Sequence, residues 1–319
     1  MTTGTGKAQE KQLMSTSKKI GGKFCSIELI TPEELRLKLN KMPSPKMLNI
    51  GCGATHHPDW INLDVLSSDP SVLPVDINNG LPFSADTISV CYSSHLLEHL
   101  DQDGARNFLA ECVRVLKSGG VIRLAVPDLE GIAREYLRVL DIVATGDRTR
   151  ESDYDWIMLE MYDQTVRNHS GGEMAHFLQN LDVNNRSFVK SRIGAEAENF
   201  WAERIVPKQP LARPSIQKRL LIITKTLHMK FVGWIILLLA GKFARMSFQT
   251  GVFRSGGEVH QWMYDRFSLV RLLERADFVD VKICAATESR IPEYEKYSLD
   301  TLNGVTRKPD SIYIEASKP

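Results

Sequence analysis

The segment LNIGCGATHHPDWINLD, residues 48–64, constrains the fold more than any other part of the chain. An apolar run reaches Gly51, turns through Gly-Cys-Gly, and resumes at Trp60 as a second apolar run that ends in the acid Asp64. Short apolar runs bounded by turn residues read as buried strands. Glycine at 51 and 53 lets the backbone bend tightly and approach a ligand with no Cβ in the way. A carboxylate at the end of the next strand can accept hydrogen bonds from both hydroxyls of a ribose. The spacing argues against a dinucleotide fingerprint, because the third glycine position is His56 and Asp64 follows much sooner than about twenty residues. No GxSxG elbow is present to support serine hydrolysis.

Apolar runs recur at 71–76 (SVLPVD), 88–94 (ISVCYSS) and 121–128 (VIRLAVPD), each ending in a polar residue. Between the last two, Phe108, Leu109, Cys112, Val113 and Leu116 repeat at helical spacing, and KSGG supplies a helix stop. The chain then departs over 150–257 before FSLVRLLERADF and the strands FVDVKICAAT and DSIYIEASKP. Strands alternating with helices, with polar residues at the strand ends, predict an α/β, doubly wound Rossmann-like sheet whose ligand lies over those ends. The long departure is a helical insertion between the fifth and sixth strands. The expected divisions are a flexible basic tail over 1–30, a cofactor-binding core over 31–149, the insertion over 150–257, and a C-terminal part of the core over 258–319. A helix is expected from Thr31, with Pro32 at its first position and Glu33 and Glu34 at its positive end.

The blocks NIGCG, WINLD, LPF, SHLLEH, FLAECVRVLKSGG and VPDL, within residues 46–130, together resemble the class I S-adenosylmethionine-dependent methyltransferases, in particular a small-molecule branch often linked to surface polysaccharide assembly. The resemblance implies the class I methyltransferase fold and S-adenosyl-L-methionine as cofactor. Carried over residue by residue, it places Asn49, Gly51, Cys52 and Gly53 at the methionyl end, Asp64 at the ribose, Asp76 and Ile77 at the adenine, and Ser94 or His95 beside the sulfonium. Two features depart from the pattern. Asn49 stands where many relatives carry an acid, and the interval from Gly51 to Trp60 is too short for the helix that usually follows the first strand.

The sulfonium is already activated, so transfer chiefly requires an acceptor held in line, with a base if that acceptor is a hydroxyl. His95 and Asp128, at the ends of the fourth and fifth strands, are the candidates for that proton, or for simple strand-end hydrogen bonding. His260, with Trp262 and Tyr264, is a candidate for the acceptor side. YDQTVRNHSGGEM, residues 162–174, is dense enough in polar groups to be a candidate acceptor loop. HLLEH, residues 95–99, formally matches a zinc-protease pattern, but it marks no third ligand and the methyltransferase resemblance already accounts for it, so no metal is expected.

Charge is unevenly placed. Arg204–Gly257 holds ten Lys and Arg and no acid, which leaves the rest of a chain of net charge +1 distinctly acidic. Within that window FVGWIILLLAG, residues 231–241, is too short to span a bilayer, which takes about twenty apolar residues. The expectation is peripheral contact with an anionic membrane, or packing over the site; nucleic acid is not favoured, for lack of aromatic interleaving. Five scattered cysteines without a CxxC pair, and no apolar leader in the first twenty residues, fit a cytoplasmic protein, peripheral at most on the membrane face. The function expected is O-methylation of a small-molecule or glycan-precursor acceptor, such as a lipid- or nucleotide-linked sugar. The alternatives are a non-catalytic scaffold or adaptor of the same fold and a methyltransferase acting on RNA or protein.

Overall fold

The computed structural model describes residues 46–65, 69–180, 185–205 and 216–319, together with an antiparallel strand pair, Lys18–Ile20 and Lys23–Cys25. The helix expected from Thr31 lies outside the described residues, as does the tail apart from that strand pair. Seven strands form one sheet: β1 Met47–Ile50, β2 Ile61–Leu63, β3 Val72–Leu73, β4 Ile88–Ser94, β5 Leu116–Pro127, β6 Val279–Cys284 and β7 Ser311–Ser317. Their spatial order is β3-β2-β1-β4-β5-β7-β6. The first five are parallel, and β7 runs antiparallel between β5 and β6. The order reverses between β1 and β4, the switch point over which a doubly wound sheet binds its ligand. KSGG, expected to stop the preceding helix, lies within the span of β5, where Gly119 and Gly120 bond to the backbone of Lys318.

Eight helices flank the sheet among the described residues. Two cover one face: α1 (Gln102–Val115), capped by Asp101 on the Gly104 amide, and α8 (Arg266–Arg275), closed by a capping box between Asp265 and Ser268. Leu48, Ile50, Cys91, Ile122, Leu124 and Ile314 pack there against Phe108, Leu109, Val115, Leu269 and Leu273. Each large apolar side chain so buried contributes roughly 1.5–3 kcal/mol. Parallel strands need cover on both faces, and the interval from Gly51 to Trp60 carries turns and no helix. An aromatic layer serves instead. Trp60 and Tyr92 meet Tyr294 and Tyr297 from the segment before β7 in edge-on and tilted contacts at 5.3–6.5 Å between ring centroids.

The remaining helices are α2 (Leu129–Ala144), α3 (Glu151–Val166), α4 (Gly172–Asn180), α5 (Arg186–Ile193), α6 (Ala195–Ile205) and α7 (Ile216–Arg254). Val139, Trp156, Met174, Leu178, Phe188, Val189 and Ile193 give α2 to α5 a core of their own, completed by Ala197 of α6. The chain between β5 and β6 therefore builds a second packed layer. It docks on the sheet where the Ala195 amide bonds to the Arg307 carbonyl at 2.9 Å and Lys308 pairs with Glu196 at 3.0 Å.

Candidate active site

The crevice lies at the carboxyl ends of β1, β2 and β4. Gly51 (φ +69°) and Gly53 (φ +53°) hold the left-handed conformations that favour glycine. The amides of Gly51 and Cys52 bond to the Leu63 carbonyl at 2.8 and 3.0 Å, and the Gly53 amide donates to Asp64 Oδ2 at 2.9 Å. Glycine turn and carboxylate are thus one unit across two adjacent strand ends. A Cβ at Gly53 would meet nothing within 4 Å, whereas one at Gly51 would approach the Leu96 side chain at 3.0 Å, so position 53 faces open space and position 51 faces packing. Burial, reinforced by the Asp64 charge, pushes the Cys52 thiol up to about 12, so it stays protonated.

Asn49 is buried, and its amide donates to the Thr55 carbonyl at 3.0 Å and Asn62 Oδ1 at 3.1 Å; its amide group braces the turn from below. Asp76 caps the short 3-10 turn Ile77–Asn79 by accepting the Asn78 amide at 3.1 Å, and Ile77 packs against the core beside it. The LPF block is fixed from α1. Glu111 accepts the Leu81 amide at 2.7 Å, and Arg114 donates to the carbonyls of Leu81 and Phe83 at 2.8 and 2.7 Å. Two motifs that look separate in the sequence are therefore one structural device behind Asp76.

Ser94 ends β4, and with Asn49, Gly51, Cys52, Arg307 and Lys308 it lines a cavity of about 60 Å³. Gly53, Asp64 and Asp76 stand outside this enclosed part, Gly53 exposed and the two acids half-buried. Arg307 and Lys308 went unmarked in the sequence, because isolated cations near a chain end carry no motif; the turn at 302–305 brings them to the crevice. The donor set fits S-adenosylmethionine: open glycine backbone, a carboxylate beside it, a second acid on the next strand connection, and cations near the glycine turn.

His95 has φ +52°, its Nε2 lies 2.7 Å from Ser311 Oγ, and its Nδ1 lies 3.5 Å from Glu98 Oε1. Burial, then Lys308, holds its ring well below the usual imidazole range, so it is neutral. Residues 97–99 form a 3-10 turn, so His95 and His99 do not share a helical face. Asp128 precedes α2 without capping it, and its Oδ1 is buried without a hydrogen-bond partner. Its backbone bridges to Tyr264, which is buried, while Trp262 is exposed.

The fold brings His260 to His99, ring centroids 4.7 Å apart and nearly perpendicular, because the amides of Gln261 and Trp262 both bond to the Glu98 carbonyl, at 2.7 and 3.2 Å. Burial pushes the His260 ring down to about 2 and the His99 ring down to about 4. Glu98, fully buried, is pushed up to about 8 by the same desolvation. Within the polar segment at 162–174, Asp163 and Arg167 are committed internally, while Asn168, His169, Ser170 and Glu173 are exposed. Asp163 accepts the Glu173 amide and pairs with Arg167, and Glu258 accepts the Gly171 amide, which ties α3 to α4.

Residues 44–124 match the family described as methyltransferase domain. No curated protein matches the chain. Among solved structures it is similar to a SAM-dependent methyltransferase from Archaeoglobus fulgidus, at 13% identity over 90% of this chain and 92% of that one with a TM-score of 0.34. It is also similar to a SAM-dependent methyltransferase, possible histamine N-methyltransferase, from Thermotoga maritima, at 11% identity over 89% and 87% with a TM-score of 0.34. These superpositions are loose; strand order and domain match define the fold. The mostly parallel seven-stranded sheet with its flanking helices is the Rossmann-like α/β fold of the class I methyltransferases.

Proposed function

We propose that the chain is an S-adenosylmethionine-dependent methyltransferase that O-methylates a small-molecule or glycan-precursor acceptor, a lipid- or nucleotide-linked sugar, at the cytoplasmic face of an anionic membrane. The observation that carries this reading is the bond from the Gly53 amide to Asp64 at the ends of two adjacent parallel strands, beside the switch point of the sheet. Bound there, the cofactor supplies a methyl group already activated on a sulfonium. The chain's own residues have binding work to do. Asp64 accepts the ribose hydroxyls, the region of Asp76 and Ile77 meets the adenine, and Arg307 and Lys308 offer positive charge to the methionyl carboxylate. His95, neutral and lodged between Ser311 and Glu98, is the group best placed to take a hydroxyl proton, with Asp128 beyond it.

Helix α7 supports the membrane element. The most apolar 18-residue stretch of Leu227–Arg254 has a mean hydropathy of 1.5 and is only 6% buried, and Phe231, Trp234, Leu238, Leu239, Phe243 and Met246 are exposed. The apolar helix is longer than the eleven-residue run suggests, long and apolar enough to cross a bilayer by length and composition. It breaks at Gly241 (φ +81°), however, and Gly233 lies near the Arg245 side chain, so the two halves fold toward one another. A broken apolar helix flanked only by cations suits the headgroup interface.

Calorimetric titration of the full chain with S-adenosylmethionine and S-adenosylhomocysteine tests the enzyme reading. We expect micromolar binding that weakens at least tenfold in Asp64→Ala, since hydrogen bonds to a charged group are worth about 1.5–3 kcal/mol. Co-sedimentation of the same protein with phosphatidylglycerol vesicles at low salt is the membrane arm. Folded protein that binds neither cofactor form defeats the enzyme reading and leaves a scaffold; failure to sediment defeats the membrane element alone.

A further inference from the structure

The sequence argued against a metal at HLLEH because no third ligand was marked. The fold supplies one from the far side of the insertion. His260 arrives beside Glu98 and His99, and one ligand atom from each of the three lies within 4.8 Å of the others. We propose that Glu98, His99 and His260 bind a divalent transition-metal ion, zinc or one of its first-row neighbours, beneath the carboxyl end of β4.

Three observations carry this assignment. The first is unmet bonding. Both carboxylate oxygens of Glu98 and the Nδ1 atoms of His99 and His260 are buried without any hydrogen-bond partner, and Glu98 and His260 are 0% and 3% exposed. His95 Nδ1 approaches Glu98 at 3.5 Å but makes no hydrogen bond with it. Buried polar groups are normally satisfied, and unmet carboxylate and imidazole atoms on three residues that bring ligand atoms within 4.8 Å of one another are a costly arrangement unless something binds them. The second is the donor type. Two imidazoles and a carboxylate are the set that binds zinc and neighbouring first-row ions while leaving coordination positions open.

The third is orientation from behind. The His99 ring lies beside the Val259 backbone, on the segment that also carries His260. A ligating imidazole is characteristically held by its remaining N–H on a carbonyl or carboxylate, the role the Val259 carbonyl would take when the ion binds. The backbone bonds from Gln261 and Trp262 to the Glu98 carbonyl hold the two halves of the site in register. Ligands about 2.0–2.2 Å from a zinc ion lie closer together than the present spread, so binding draws the three side chains inward by about an ångström. A cleft of about 350 Å³, lined by Asn78, His99, Asp101, Arg254 and Gln261, gives the ion a route to His99. Arg167 and Lys308 add positive field and Glu258 and Asp310 oppose it, so the surroundings do not exclude a cation. The ion would clip the re-entry of the chain, residues 258–262, to the turn that follows β4, directly behind His95.

Metal content and metal-dependent melting test the site without any assay of activity. The full chain, stripped with chelator and desalted, is titrated with Zn²⁺ and separately with Co²⁺. We expect about one equivalent per chain, a visible cobalt band characteristic of nitrogen and oxygen ligands, and a rise of several degrees in the melting temperature. Glu98→Gln, which keeps the shape of the side chain, and His260→Ala should both lose the band and the rise. Should His260→Ala fail to fold, Glu98→Gln and the wild-type cobalt spectrum still decide. Folded stripped protein that takes up neither metal overturns the proposal, and so does uptake undiminished in Glu98→Gln, which would place the ion elsewhere.

Discussion

Gly51 and Gly53 share a left-handed backbone but not an environment. Alanine in that conformation costs about 1–2 kcal/mol through its own sterics. At Gly53 nothing else is disturbed, whereas at Gly51 the new Cβ presses on Leu96 at 3.0 Å, a side chain packed against the main core. Gly51→Ala should therefore lower the urea midpoint clearly more than Gly53→Ala; equal midpoints would mean that Leu96 yields without cost. Both glycines and Asp64 were legible in the sequence, because tight turns and strand-end acids leave a mark in residue type. The bracing role of Asn49 was not, since an asparagine before a glycine turn reads equally well as a ligand contact until Asn62 and Thr55 are seen to occupy its amide. Nothing in HLLEH marks Glu98 as unusual, yet it caps nothing and has no hydrogen-bond partner on its carboxylate.

At the scale of elements, β1, β2, β4 and β7 were each visible as apolar runs, because a strand covered on both faces has little choice of composition, while β6, the largely exposed edge strand, showed only as the alternation VDVKIC. The antiparallel insertion of β7 between β5 and β6 was not visible, since period and composition carry no direction. VIRLAV in β5 also hid a charge. Arg123 is fully buried, bonded to Asp300 at 2.7 Å and Glu315 of β7 at 2.8 Å, while Asp300 also accepts the hydroxyls of Tyr92 and Tyr294. These bonds join β4, β5, β7 and the aromatic layer that stands in for the missing helix. Arg123→Met leaves buried Asp300 without its cation and Glu315 with only the Arg290 cation at 3.9 Å, and breaking a buried pair from one side typically costs about 3–5 kcal/mol. The exposed pair Arg134–Glu130 provides the contrast, with Arg134→Met expected to stay within about 1 kcal/mol. Denaturant unfolding of the two variants measures the difference, and comparable losses would refute a special role for the Arg123 cluster.

For the molecule as a whole, the open question is how the insertion is held on the sheet, and the segment 307–310 is the joint. Its residues bond to Ala195 and Glu196 of α6, while the carbonyl of Asp310 accepts the Asp128 amide at 2.8 Å. Asp310 is only half-buried as a residue, yet burial of its carboxyl, followed by the charges of Glu160 and Glu196 from the insertion, pushes it up to about 7. The native chain then holds a proton there that the unfolded chain, titrating near the ordinary aspartate value of 3.8, has already released. Between these two values the native state binds more protons, so stability falls as pH rises from about 4 to about 7 and levels off above that. Asparagine cannot ionise and removes the dependence. Asp310→Asn should lie nearest the wild type at pH 5, gain on it through neutrality, and show its largest advantage in melting temperature at pH 8, where the native protein carries the full cost of a third negative charge among Glu160 and Glu196. Melting curves of both proteins at pH 5, 6.5 and 8 decide the matter. A constant offset across the three would mean that Asp310 is bound for its shape or hydrogen bonding, whereas a gap that opens with pH would show that ionisation at this joint loosens the insertion from the sheet.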